Sequence, residues 1–134
     1  MAITLSISQK ELERQAALVF EGKTYEVFLA TNSGSLTANS TYAAWQAVEV
    51  ASANGYTPVT GTIGTGAWAA ADARYELPSI TATFTSSGSG FSYDTICVRI
   101  GTETYLHSIV TESPSITLAA GQSKSYVITL VQDD

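Results

Sequence analysis

Apolar and polar positions along this chain follow two rhythms. Over most of its length they alternate, which is the period-two signature of half-buried strands. Near the start, and again around residue 45, they recur every three or four residues as on a helix face. Residues 3–7, Ile-Thr-Leu-Ser-Ile, alternate and predict a short strand or an extended arm, with Ile3, Leu5 and Ile7 on one side. Ser8-Gln9-Lys10-Glu11 matches a capping box, a hydroxyl residue followed three places on by Glu, and so predicts a helix start. Leu12, Ala16 and Val19 or Phe20 continue at helical spacing, and Gly22 can take the left-handed conformation that ends a helix of about three turns.

Residues 23–31 form the first clear strand pattern, with Tyr25, Val27 and Leu29 on one face and Phe28 on the other. A strand apolar on both faces is expected to be covered on both sides or to lie at an interface. Asn32-Ser33-Gly34-Ser35 predicts a loop. Residues 41–50 fit either periodicity; Ala43, Ala44 and Ala47 favour a short helix. Asn54-Gly55 closes that segment, and Pro58 makes residues 56–63 an edge or irregular strand. Gly61, Gly64 and Gly66 form a close-packing stretch before Trp68.

Beyond Asp72 the alternation is cleaner. Residues 79–85 carry Ile80, Ala82 and Phe84 between hydroxyl residues, and 86–90 form a loop. Residues 94–100 and 104–110 make a hairpin around Gly101-Thr102-Glu103. Pro114 and Ser115 precede Ile116 and Leu118, Ala120-Gly121 turns the chain again, and residues 123–130 form the last strand. Several short strands with Gly turns predict a mainly β fold: an antiparallel β-sandwich or small barrel with one or two short helices, one of them near the N-terminus. At 134 residues the expectation is a single domain over 1–134, with 1–7 as an extended assembly arm.

Composition narrows what such a domain does. The net charge is −6, and the six basic residues are scattered. That excludes the basic stripe needed to displace counterions from nucleic acid, and the same repulsion argues against anionic membranes. Only 13% of residues are charged, so hydroxyl and small side chains cover the surface. Such a surface can be buried against a partner without stranding charge. The one cysteine, Cys97, permits no internal disulfide. The opening residues lack a basic segment followed by a long apolar run, so no signal peptide or membrane span is expected, and the chain reads as made and assembled in a cytoplasm.

Candidate chemistry is sparse. His107 is the single histidine, placed on a strand with Tyr105 and Ile109, and no Gly-x-Ser-x-Gly elbow accompanies it. Cys97 lies in an apolar strand and reads as core. Asp94, Glu103 and Glu112 follow no metal-ligand spacing, and the glycines at 61, 64 and 66 lack the lysine of a phosphate loop. The expectation is therefore no catalytic residue, no metal, no cofactor and no enzyme. Tyr42, Trp45, Tyr56, Trp68 and Tyr75 can serve a core or a carbohydrate platform. Ile3, Leu5, Ile7, Trp45, Tyr56 and Trp68 are the candidate assembly-interface residues, the first three able to pair within their own chain or with a neighbour's sheet edge.

Taken in order, Tyr25-Glu26-Val27-Phe28-Leu29-Ala30-Thr31, Gly55-Tyr56, Leu77-Pro78, Ile116-Thr117-Leu118-Ala119-Ala120-Gly121 and Tyr126-Val127-Ile128-Thr129-Leu130 give a chain that resembles small β-rich virion structural proteins of tailed bacteriophages, the capsid decoration, cement or tail-fibre-like group. The resemblance runs over about residues 23–130. It departs at Asn32-Ser33-Gly34, where such proteins often carry Asp-Pro-Gly, and at Thr57-Pro58, where Ala-Arg is expected. The resemblance implies assembly as the activity, in a symmetric oligomer. The implied partners are copies of itself and the major capsid or tail proteins, and the implied location is the virion. A tail component binding host carbohydrate is the alternative.

Overall fold

A computed structural model describes residues 8–32, 34–72 and 74–133. Ile3, Leu5 and Ile7, with the predicted arm, lie outside the described residues. The elements run α1 (Gln9–Val19), β1 (Thr24–Ala30), α2 (Tyr42–Gln46), β2 (Val59–Thr62), β3 (Ala67–Ala69), a 3-10 turn (Ala70–Asp72), β4 (Arg74–Glu76), β5 (Ile80–Thr85), β6 (Phe91–Ile100), β7 (Ser108–Leu118), β8 (Ser123–Ile128) and β9 (Val131–Asp133). The protein is mainly β with antiparallel sheets and two helices, one near the N-terminus. The described residues group into two compact units, one drawn from 8–23, 62–80 and 127–133, the other from 24–61 and 81–126.

In the first unit, α1 starts where its capping residue predicts. The Ser8 hydroxyl accepts the Glu11 N–H at 3.2 Å, satisfying one of the donors that a helix start leaves free. The Glu11 carboxylate does not turn back to close the box; Arg14 takes both of its oxygens, at 2.8 and 2.5 Å. Leu12, Ala16 and Phe20 are buried, whereas Val19 is exposed, so Phe20 completes the apolar stripe. Gly22 follows at φ +74°, and its N–H donates to the Ile63 carbonyl. The helix lies against β4 and β9. These strands belong to a small sheet of order β3-β4-β9, with Trp68 opposite Tyr75 and Tyr75 opposite Gln132. Alternation does not announce this sheet, because strands of three residues are too short to show a period of two.

In the second unit a four-stranded sheet of order β2-β1-β6-β7 carries the core. Phe28 stands opposite Cys97 and Leu29 opposite Ile96. Val27, Phe28, Leu29 and Ala30 are all buried, so β1 is covered on both faces, as its unbroken apolar run requires. Phe28, Ala30, Trp45, Cys97 and Leu106 form one cluster, with Tyr42, Val48 and Ile109 packed against it. At the other end Phe84 of β5 and Tyr126 of β8 meet Tyr56, Phe91 and Tyr93 in an aromatic group. A two-stranded β5-β8 sheet thus packs on the β6 end of the larger one, a sandwich-like arrangement.

One predicted hairpin is drawn differently. Residues 104–107 lie outside the strand, and β7 runs unbroken over Ser108–Leu118. Pro114 does not end it, because the register slips there: Thr95 pairs with Thr111 while Tyr93 pairs with Ile116. An irregular stretch has no ladder bond for proline's missing N–H to break.

Candidate assembly surface

The aromatic residues singled out in the sequence part company in the structure. Trp45 sits on α2, whose N-terminus is capped by Thr41, the hydroxyl accepting the Ala44 N–H. That helix turns the indole inward. Trp45 is fully buried, and its Nε1 donates to the Thr37 carbonyl at 3.1 Å.

Tyr56 is also buried. Its ring stacks on Phe84 at 6.2 Å, and its hydroxyl donates to Glu49 Oε2 at 2.5 Å while accepting the Leu29 N–H at 3.1 Å. Burial, and then the Glu49 bond, push the Tyr56 phenol well above its usual range. Burial likewise raises the Glu49 carboxyl; the Tyr56 bond opposes that shift, and the Glu26 charge adds to it. Both aromatic residues are core, with no face left for a sugar ring or a partner, and their assignment to an interface is corrected on that ground.

Trp68 differs. It is half-buried on β3 and helps line a shallow hollow of about 290 Å³ with Thr65, Gly66, Glu76, Leu77 and Pro78. Its neighbourhood is held by Glu21, whose Oε1 accepts the Gly66 N–H at 2.9 Å and the Tyr75 hydroxyl. That bond lifts the Tyr75 phenol to about 12.

Several other polar groups hold the fold. Tyr42 donates to Glu26 at 2.7 Å, and the Arg99 guanidinium lies 3.6 Å from its ring centroid, a cation–π contact. Asp94 Oδ1 accepts the Asn32 N–H at 2.9 Å and anchors the loop after β1. Cys97 lies in the core cluster, its thiol pushed up to about 12 by burial, which keeps it protonated and unreactive. His107 is exposed just before β7, with Nδ1 3.3 Å from the Ser108 hydroxyl. Among the described residues no group of three metal-ligating side chains gathers, and no helix is long and apolar enough to cross a membrane.

What the outer faces of the strands present is hydroxyl. Thr83 bonds Ser125 at 2.8 Å, Thr85 bonds Ser123 at 2.7 Å and Ser92 bonds Thr117 at 2.9 Å, all exposed. Cross-strand pairs of this kind contribute roughly 0.2–1 kcal/mol each and hold the hydroxyls in a fixed array. Exposed apolar side chains interrupt this surface at Leu18, Val19, Tyr105, Val110 and Val127. Sequence reasoning did not single out Val110; its signal was its place in an alternating segment, which does not say whether another strand lies beyond. Compared with protein families, curated proteins and solved structures, the chain finds no match.

Proposed function

We propose that this protein is a structural component of a tailed-phage virion that works by protein–protein assembly, as capsid cement or decoration, and that it joins the particle after synthesis in the host cytoplasm. The observation that carries the assembly reading is the hydroxyl array on the outer strand faces, Thr83–Ser125, Thr85–Ser123 and Ser92–Thr117, with exposed Val110 and Val127 on strands β7 and β8. Covering these bonded hydroxyl pairs desolvates no charge of their own, a cost that keeps highly charged faces out of interface cores. The virion assignment rests on the sequence resemblance. Its partners are copies of itself and the major capsid or tail proteins.

A second reading, a tail component that binds host-surface carbohydrate, is favoured by Trp68 alone, the one half-exposed tryptophan, which lines a hollow with Glu76 and Pro78. The deciding experiment is electron cryo-microscopy of purified particles with copy number from quantified gel bands. Hundreds of copies on the shell lattice are expected. A few copies at the tail would favour the second reading, and absence from particles would refute the virion assignment.

A further inference from the structure

Among the described residues the four-stranded sheet ends on β7, and the two halves of that strand differ. In the second half stand Pro114 and a slip in register, two devices by which edge strands are kept from pairing with other chains. The first half, Ser108-Ile109-Val110-Thr111-Glu112, contains neither proline nor lysine, and its one charge, Glu112, stands at its end. It also carries an unfinished apolar row. Leu29, Ile96 and Val110 stand opposite one another across β1, β6 and β7, and directly opposed residues of antiparallel strands share a face. Leu29 is 0% exposed, Ile96 3% and Val110 56%. A row that is core on two strands is left uncovered on the third.

We propose that this half-edge accepts residues 3–7 of a second copy of the chain, Ile3-Thr4-Leu5-Ser6-Ile7, added as a strand beyond β7. The inference rests on the assembly reading above and names one contact through which assembly proceeds. Length fits, since five residues lie along five, each stretch spanning roughly 17 Å at 3.3–3.4 Å per residue. Pattern fits as well. Leu5 extends the row begun by Leu29, Ile96 and Val110, with Ile3 and Ile7 on the same face beside Ser108 and Glu112, while Thr4 and Ser6 place hydroxyls on the other face. The segment is uncharged, so pairing buries no ion from its side. Backbone bonds supply affinity that the side chains alone do not, as in other cases of strand addition. Leu5 is the middle of the segment and Val110 the middle of the edge, so they fall side by side whether the strand adds parallel or antiparallel.

That coincidence supplies the test. Leu5→Cys and Val110→Cys are placed in separate, differently sized copies; the native Cys97 is buried and does not compete. Under mild oxidation the mixture is expected to yield a disulfide-linked pair of unequal copies. Sedimentation of the unmodified full chain is expected to show self-association. Leu5→Pro removes a ladder donor and Val110→Lys places a charge on the edge; each should weaken that association by roughly tenfold or more, the scale of one well-buried interface residue, with far-ultraviolet circular dichroism unchanged. Self-association undiminished in both variants overturns this contact and leaves assembly to proceed by other surfaces. A crosslink that forms only within one chain, when both cysteines are put in the same copy, overturns it too, as does a full chain that stays monomeric yet enters particles. Absence from particles is the separate result that refutes the virion assignment.

Discussion

Two tyrosine–carboxylate pairs brace two regions of this protein, and they do so by different physics. In the region built on β1, β6 and β7, Tyr56 bonds Glu49 within an aromatic group, and burial is the first cause of the phenol's raised pKa. In the region built on α1 and the β3-β4-β9 sheet, Tyr75 bonds Glu21, and the bond itself is the larger cause. The strands explain the difference. β1, β6 and β7 run to 7, 10 and 11 residues, enough for apolar pairs such as Phe28 opposite Cys97 to set the register. β3 and β4 have three residues each. Strands so short cannot hold register through side-chain pairs alone, and Glu21 ties the strand entrance at Gly66 to Tyr75 instead. Long strands are specified by their apolar faces, short ones by a few polar staples.

Each region carries one tryptophan, Trp45 in the first and Trp68 in the second, so single-tryptophan variants made with phenylalanine report the two separately. The largest expected effect is in the long-stranded region. Phe28→Ala empties a fully buried site in the cluster with Trp45, and should cost about 3–5 kcal/mol in urea unfolding followed by Trp45 fluorescence. In the short-stranded region, Gly66→Ala would drive a Cβ against the Glu76 carbonyl and within 2.8 Å of the Tyr75 ring. A loss of about 1–3 kcal/mol is expected in the transition seen by Trp68. Equal displacement of the Trp45 transition would break the comparison, because the two regions would then unfold as one.

Smaller effects sharpen it further. Ser8→Ala removes the cap that receives the Glu11 N–H and should cost about 1 kcal/mol, read as lost helical signal together with an earlier Trp68 transition. The smallest effect is the pH dependence of Glu49. Its carboxyl is raised above 4.5 in the fold, chiefly by burial, so the folded state holds that proton more tightly than the unfolded chain does. The stabilisation is therefore fully present below the unfolded value and is lost as pH rises through the folded one. Glu49→Gln keeps an acceptor for Tyr56 and removes the titration. Its stability relative to the parent should improve as pH rises from mildly acidic to neutral, and a flat difference would show that Glu49 titrates alike in both states.

Much of the fold was legible because local chemistry carried it. Ser8 and Gly22 bracket α1, the double-faced apolar run makes β1 a covered strand, the alternation from Ile80 to Thr85 appears as alternating burial, and Pro58 leads into an edge strand. The errors share one cause. The partner strand was ended at Val110, yet it runs on to Leu118 because a slip in register absorbs Pro114. Trp45 and Tyr56, open to a core or an interface role in the sequence, are core, because α2 and the Phe84 and Phe91 rings enclose them.

The amino-acid sequence by itself determined which residues are apolar, with what period, and where caps and turns stop each element. These depend on neighbours a few positions away, and they were enough to predict a mainly β, charge-poor, hydroxyl-covered protein. Only the tertiary structure decided which apolar side chains are core and which are left bare, because burial depends on what a distant strand places opposite. Leu29, Ile96 and Val110 are alike as aliphatic residues in alternating segments; one is wholly buried, one nearly so and one exposed, because among the described residues β7 has no strand beyond it in its sheet.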